Sequence, residues 1–396
     1  MTDPVSPIHQ AAVVGGGPAG LAAAIALAQA GVATVLIARR SPYADNRTTA
    51  LLGGSVGFLQ SLDVWQRCSA DSAALRTMRL VDDTRRLIRS PEVKFTSDEI
   101  GMEAFGYNIE NRILMVAMEA RAAELQNLVR VDDEAQSVVT GESLVAITTK
   151  QGQSLIASLV VGADGRHSLC REAAGIGVKR RDLGQSALTL NVTHVRPHAN
   201  CSTEFHTESG PCVFVPLPGE RSSVVWVVKP DEAARLKALD DAALALAAEQ
   251  QSHSIFGKLT IAPGRHVFPL AIENPDHLAA KRIALVGEAA HVLPPIGAQG
   301  LNMGLRDAGD LAQVVRDALL MGNDPGDDAV LQAYARARRA DVFSRTFAVD
   351  MANRTLLSDF LPAQSLRAAG MHLLDRIGPI RRLAMREGLS PSWRER

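Results

Sequence analysis

The sequence predicts an α/β fold: a parallel sheet flanked by helices, a mainly antiparallel sheet interleaved with it, and a helical C-terminus. Three observations carry this expectation. Strand-like runs at Ala11–Val14, Leu159–Val161 and Arg282–Val286 each lead straight into a glycine-bearing turn, as strands of a parallel sheet do before their helices. Apolar and polar residues largely alternate from Ser186 to Val195, and Val213–Leu217 and Ser223–Val228 are further strand-like runs bounded by Pro, Gly and Ser, which suits an antiparallel sheet. After Asp328 the chain reads as helical with a break at Pro362, and Leu366, Leu373, Leu374, Ile377, Ile380 and Leu383 recur at roughly helical spacing.

Composition sets the bounds. With 396 residues and a hydrophobic fraction of 46%, the chain can bury a large core and hold two or three domains. A net charge of -1 supplies no basic field to hold phosphates, so no nucleic-acid partner is expected. Cys68, Cys170, Cys201 and Cys212 form no Cys-x-x-Cys pair or metal-ligand spacing, and they read as reduced thiols of a cytoplasmic protein with no metal site. Ala11 to Ala38 carries no charged side chain and is long enough to cross a bilayer. Its Gly15-Gly16-Gly17-Pro18 would break a spanning helix near the start, whereas it fits strand, tight turn and new helix. The start of the chain has neither the basic region nor the small-residue cleavage site of a signal peptide.

The first turn is the most specific local signal. Gly15, Gly17 and Gly20 fall on the spacing Gly-x-Gly-x-x-Gly, with Ala19 between them, at the entrance to an Ala- and Leu-rich helix. The first glycine permits the tight turn, the second lets a pyrophosphate approach the backbone, and the third lets helix and strand pack closely. Free amides at the helix start then face the phosphates. The helix is expected to run to about Ala30, with Gly31 capping it and Thr34–Ile37 as the second strand. Together these make a Rossmann-type dinucleotide-binding unit. Where that fold normally places a ribose-binding carboxylate stands Ala38, followed by Arg39 and Arg40.

Two later segments resemble motifs of the single-component flavoprotein hydroxylases, which share the para-hydroxybenzoate-hydroxylase-like fold. Gly162-Ala163-Asp164-Gly165-Arg166-His167-Ser168, with Arg171 one helical turn on, is similar to that family's Asp-Gly motif, although Asp164 and Gly165 also suit a plain turn. Gly287-Glu288-Ala289-Ala290-His291 and Pro294-Pro295-Ile296-Gly297-Ala298-Gln299-Gly300-Leu301-Asn302 resemble its second flavin motif, in which a carboxylate contacts the ribityl chain and a glycine-rich turn opens a long helix. The family usually has Asp at the position of Glu288. A helix start near Gly300, Leu301 and Asn302 would aim amides at the flavin's pyrimidine end. His291, among alanines and prolines, reads as a packed structural residue rather than a ligand or base.

Three further segments narrow the resemblance to the hydroxylases of ubiquinone biosynthesis. Arg47-Thr48-Thr49-Ala50-Leu51 matches their turn that sends an arginine to the flavin, Tyr107–Leu114 with Arg112 matches the segment before their next long helix, and Gly210-Pro211, Val215-Pro216-Leu217-Pro218 and Val225-Trp226 follow their substrate-domain pattern. The resemblance implies FAD as cofactor, held by Gly15, Gly17, Ala19, Gly20, Arg39, Arg47, Arg112, Asp164, Glu288, Gly300, Leu301 and Asn302. It implies NAD(P)H as a transient co-substrate, since one Gly-x-Gly-x-x-Gly unit is present, and molecular oxygen and a prenylated phenol as the other reactants. The Pro295 carbonyl is the expected acceptor for the phenol's hydrogen bond. Loss of the contact missing at Ala38 would cost about 1.5–3 kcal/mol of FAD binding.

The implied organisation is discontinuous. Residues 1–75, 106–180 and 266–325 would form the FAD-binding domain, 76–105 and 181–265 the β-sheet substrate domain, and 326–396 the C-terminal helical region. Phe205, Phe214 and Trp226 are candidates for the substrate wall or for ordinary core. Arg196 and Arg221, the only arginines of the strand region 186–228, both fall in expected turns, so no cationic anchor for a soluble carboxylate substrate is assigned there, although Arg47 could enter the pocket. The C-terminal stripe with Arg376, Arg381, Arg382 and Arg386 could dock peripherally on the inner membrane face, on its own flavin domain, on a sister subunit as a homodimer, or on other ubiquinone-biosynthesis proteins. A flavin-dependent prenyl reductase and a non-catalytic scaffold descendant remain as alternative functions.

Overall fold

A computed structural model describes residues 8–40, 46–358 and 361–389. The first sheet has the spatial order Ala279–Ala280, Ile283–Leu285, Ser154–Gly162, Ile8–Val14, Thr34–Ile37 and Leu128–Val131, with Val145–Thr149 and Ala135–Thr140 added antiparallel beside Ser154–Gly162. The strands from Ile283–Leu285 across to Leu128–Val131 pair in parallel. The register sets Val14 against both Gly162 and Ile37, and Gly162 against Leu285. Gly15, Ala163 and Val286 therefore leave the sheet side by side at its carboxyl edge, where open α/β sheets bind ligands.

The helix Pro18–Gln29 forms because an Ala- and Leu-rich run follows a proline at its first position. Leu21, Ile25 and Leu27 are fully buried against the sheet, where each contributes about 1.5–3 kcal/mol. Ile25→Ala would cost about 2–5 kcal/mol. The long helix Gln299–Leu320 crosses the same face, burying Leu311 and Val315, and Asp328–Leu357 adds Tyr334, whose hydroxyl donates to the Leu285 carbonyl at 2.7 Å.

The second sheet runs Leu259–Ile261, Val178–His194, Arg221–Val228, Gly210–Leu217, Cys201–Thr207, Thr77–Asp82 and Val93–Thr96. His266–Pro275 pairs antiparallel with Val178–His194, with a register shift between Asp182 and Ser186, so the positions 181 and 265 taken as boundaries from sequence fall within or beside one strand pairing. A small third sheet joins Thr48–Leu52, Gly106–Glu110 and Ser72–Ala74. The C-terminal helices are Asp328–Leu357, Leu361–Arg376 and Gly378–Leu389, with the expected break falling before Pro362. Leu373, Ile377, Ile380 and Leu383 of the apolar stripe are exposed, whereas the Leu366 side chain lies outside the described residues. All four cysteines are free thiols, no metal-binding group is present among the described residues, and no described helix is long and apolar enough to cross a membrane.

Candidate active site

Three loops at the carboxyl edge of the parallel sheet build the site. In the first, Gly15 has φ +112°, and a Cβ there would sit 2.2 Å from the Ala163 carbonyl oxygen. A Cβ on Gly20 would sit 2.0 Å from the Gly15 carbonyl oxygen, so neither position tolerates a side chain. Gly17 differs: a Cβ on it would meet no protein atom within 4 Å. Ala19 packs its methyl where Cβ atoms on Gly287 and Gly304 would come within 2.9 and 3.1 Å, which lets the first helix and the long helix approach closely. Arg39 is exposed and pairs with Glu134 at 3.1 Å.

The second loop is ordered by Asp164, which accepts from the Ser168 hydroxyl at 2.5 Å and the Cys170 amide at 3.1 Å. Arg171 then donates to the Arg166 carbonyl at 2.5 Å and to the Ala289 carbonyl at 3.1 Å. Arg171 thereby ties this loop to the third one. Arg166 reaches the same turn from the other side, with Nε 3.6 Å from Glu288. Glu288 is well exposed, so its carboxylate is open to a ligand.

The third loop ends in two consecutive left-handed residues, Gly297 at φ +63° and Ala298 at φ +54°, which turn the chain into Gln299–Leu320. Pro295 is exposed, and no hydrogen bond from the described residues reaches its carbonyl. A Cβ on Gly300 would meet no protein atom within 4 Å, and Leu301 beside it packs partly into the core. Asn302 is fully buried. Its side chain accepts from the Leu52 amide at 2.9 Å and donates to the carbonyls of Ala50 at 2.8 Å and Ala298 at 2.6 Å. It thus bolts Thr48–Leu52 to the helix start, a role that separates it from Gly300.

Glu110 gathers two arginines: Arg112 Nε donates to it at 2.8 Å and Arg221 donates to its other oxygen. Burial alone would raise the Glu110 pKa, but the hydrogen bonds from Arg221 and Arg112 outweigh it and hold the carboxyl below the usual range. Arg221 is not in a turn, as expected from sequence, but opens the strand Arg221–Val228, because it pairs in register with Thr193. The guanidinium carbon of Arg47 stands 5.5 Å from the Phe268 ring centroid.

The antiparallel sheet presents its two faces differently. Phe205, Phe214 and Trp226 are buried with Leu236, Leu244 and Phe256 on the face covered by the helices Pro230–Ala238 and Asp241–Gln251, so they are core and not substrate wall. Strand alternation puts Thr189, Val213, Val215 and Val225 on the opposite face, where all four are half-buried. On that face Asn191 donates to the Asn46 carbonyl at 2.8 Å, and Asn108 of the strand Gly106–Glu110 donates to the Ser223 hydroxyl at 3.2 Å, which ties it to the small third sheet and the segment before it.

Sequence reasoning missed the buried charges beneath the third loop. His291 Nε2 lies 2.7 Å from Asp307, Arg338 Nε donates to Asp307 at 2.6 Å, and Arg338 also reaches Asp310 and Asp341, each at 2.9 Å. His291, Asp307 and Arg338 are at most 3% exposed. Burial alone would raise the Asp307 pKa, but His291 and Arg338 outweigh it and hold the carboxyl well below its ordinary range. The signal in the sequence was the spacing of Asp307, Asp310 and Asp341 with Arg338 on two helices otherwise bound for the core.

These features fit FAD. Neither Pro18–Gln29 nor Gln299–Leu320 has a side-chain cap or an acidic residue in its first turn, so both present unneutralised amides at the same edge of the sheet. Gly17 and Gly300, one at each helix start, leave open space beside their backbone. The FAD binding domain family matches residues 9–346. Among curated proteins, the chain is 33% identical to ubiquinone hydroxylase UbiL of Rhodospirillum rubrum, over 95% of this chain and 88% of the relative. It is 31% identical to the 3-demethoxyubiquinol 3-hydroxylase of Escherichia coli, over 96% and 97%. Among solved structures, p-nitrophenol 4-monooxygenase of Pseudomonas putida shares the fold with a TM-score of 0.79 at 18% identity, over 97% of this chain and 99% of that one. The chain belongs to the FAD binding domain family and is a flavin-dependent monooxygenase of its ubiquinone-hydroxylase branch.

Proposed function

We propose that the enzyme hydroxylates the aromatic ring of a prenylated phenol in ubiquinone biosynthesis, consuming NAD(P)H and molecular oxygen and releasing water. One observation carries this reading: the Asp164 loop, the Glu288 turn and the uncapped helix start at Gly300 converge at one sheet edge, and the half-buried sheet face of Thr189, Val213, Val215 and Val225 is tied through Asn191 to Asn46, next to Arg47. When bound there, FAD supplies the activation of oxygen. The protein's part is to hold, orient and exclude water. Gly15, Gly17 and Gly20 would take the pyrophosphate end, Glu288 the ribityl hydroxyls, and the amides of Gly300 and Leu301 the pyrimidine edge, while Ala19 and Asn302 set the positions of these elements. Arg47, Arg112 and Asp164 border the flavin side, and Arg39 lies toward the adenosine. The free Pro295 carbonyl would accept the phenol's proton in a hydrogen bond, raising electron density on the ring.

The substrate class follows from what the sheet face offers. It is largely apolar, and Arg221 is committed to Glu110, so a carboxylate anchor from that strand is absent while a prenyl chain is accommodated. Peripheral contact with the membrane, or assembly with a partner, is supported by the exposed Leu373, Ile377, Ile380 and Leu383 beside Arg382 and Arg386. The test of the reading is spectroscopic. Purified protein should show a flavin absorbance band that NADPH bleaches faster when a short-chain prenylphenol is present. A colourless protein that takes up no FAD from solution would overturn it in favour of a non-catalytic scaffold.

A further inference from the structure

The strand Thr34–Ile37 delivers an alanine to the place where a carboxylate usually receives the adenosine ribose of a dinucleotide. Ala38 closes directly on the glycine turn, since a Cβ on Gly16 would lie 2.6 Å from the Ala38 Cβ. Beside it stands Arg130, from the neighbouring parallel strand Leu128–Val131, where it pairs in register with Leu36. Arg130 Nη2 donates to the Ala38 carbonyl at 3.2 Å and lies 3.9 Å from the position of a Gly16 Cβ. Its Nη1 donates to both carboxylate oxygens of Glu119, each at 2.7 Å, and its buried Nε has no hydrogen-bond partner. The side chains of Arg130 and Glu119 are 13% and 17% exposed, so each keeps an edge open toward the outside.

We infer that Glu119, held by Arg130, is the ribose-recognition carboxylate of this FAD site, supplied from the helix Asn111–Glu124 in place of the one that the second strand lacks. A carboxylate offers about four lone-pair sites, more than the two contacts that Arg130 makes with it. Arg130 is the positioning residue: its planar group spans the gap between Glu119 and the Ala38 carbonyl and fixes the carboxylate at the glycine turn. The inference rests on FAD occupying the edge described above, and it explains how a chain without the strand carboxylate retains a grip on the adenosine half.

The test compares flavins with and without that half. FAD and FMN affinities are measured by titrating flavin-free protein, for wild type and Glu119→Gln. The expected result is a loss of about 10- to 100-fold for FAD with FMN changed by less than about twofold, the size of one charge-assisted hydrogen bond. Ala38→Glu introduced into the Glu119→Gln protein should return part of the lost FAD affinity. An equal loss for both flavins, or no loss for either, would overturn the inference and reduce Glu119–Arg130 to an ion pair tying helix to strand. Should Glu119→Gln fail to fold, Glu119→Asp, which shortens the reach by one methylene, gives the same ratio to compare. Wild-type FAD binding, measured in the same titration, tests the flavoprotein reading separately.

Discussion

Arg166 Nε and a Glu288 carboxylate oxygen lie 3.6 Å apart, joining two loops separated by more than a hundred residues into one rim. Both side chains are partly exposed, at 30% and 60%, so the pair adds little to stability. In the proposed site its use is to aim Glu288 at the ribityl chain. Arg166→Ala should shift Tm by less than about 2 °C while lowering flavin affinity or the rate of flavin reduction at least about tenfold. Thermal melting and stopped-flow reduction check both halves. An unchanged reduction rate with intact flavin content would overturn the proposed ribityl contact of Glu288.

Gly300→Val separates folding from cofactor binding. An added Cβ meets no protein atom within 4 Å, and the position is already helical, so the fold should survive with Tm close to wild type. In the proposed site flavin binding or reduction should be abolished, because a β-branched group would occupy the open space beside Gly300 that the cofactor is proposed to fill. A variant with normal flavin content and reduction rate would place the isoalloxazine ring elsewhere.

Asn302→Ala should act in the opposite way, on structure first. It strands the buried Leu52 amide and the Ala50 carbonyl, each of which loses its Asn302 partner. A loss of about 2–4 kcal/mol is expected in urea unfolding, with faster proteolysis near Thr48–Leu52 as its local signature. Unchanged stability would mean that water replaces both bonds.

The buried Asp307 gives a pH dependence with a definite sign. Its folded pKa is depressed, so it contributes stability above its unfolded pKa of about 3.9, and that contribution is lost as pH falls below this value toward the folded pKa. Asp307→Asn leaves the buried Arg338 without its closest carboxylate and should cost about 3–5 kcal/mol at neutral pH. The gap between wild type and variant should stay constant down to about pH 5 and narrow below about pH 4, as followed by denaturant unfolding. A gap independent of pH through that range would contradict the ion-pair account.

What could be read from sequence was local. The strand Thr34–Ile37, the glycine turn, the helix opening beside Gly300 and the helical run from Asp328 are each set by neighbours within a few residues, and each is where the pattern put it. The alternation along Ser186–Val195 revealed a strand but not which of its faces is covered by Pro230–Ala238 and Asp241–Gln251, so Phe214 and Trp226 stayed ambiguous until the register was visible. Asn302 with Leu52, Glu110 with Arg221, and Asp307 with Arg338 are contacts between distant segments, and no local periodicity encodes them. His291 did read as a packed residue, and its ionic partner Asp307 was the part that required the fold.

The source of the inserted oxygen atom tests the central claim most directly. Enzyme supplied with FAD, NADPH, labelled molecular oxygen and a short-chain prenylphenol should yield a ring-hydroxylated product heavier by one labelled oxygen in mass spectrometry. Should a flavin that binds and is reduced give only peroxide, or a prenyl chain saturated without oxygen uptake, the hydroxylase account would be contradicted and a flavin-dependent reductase or a relic preferred.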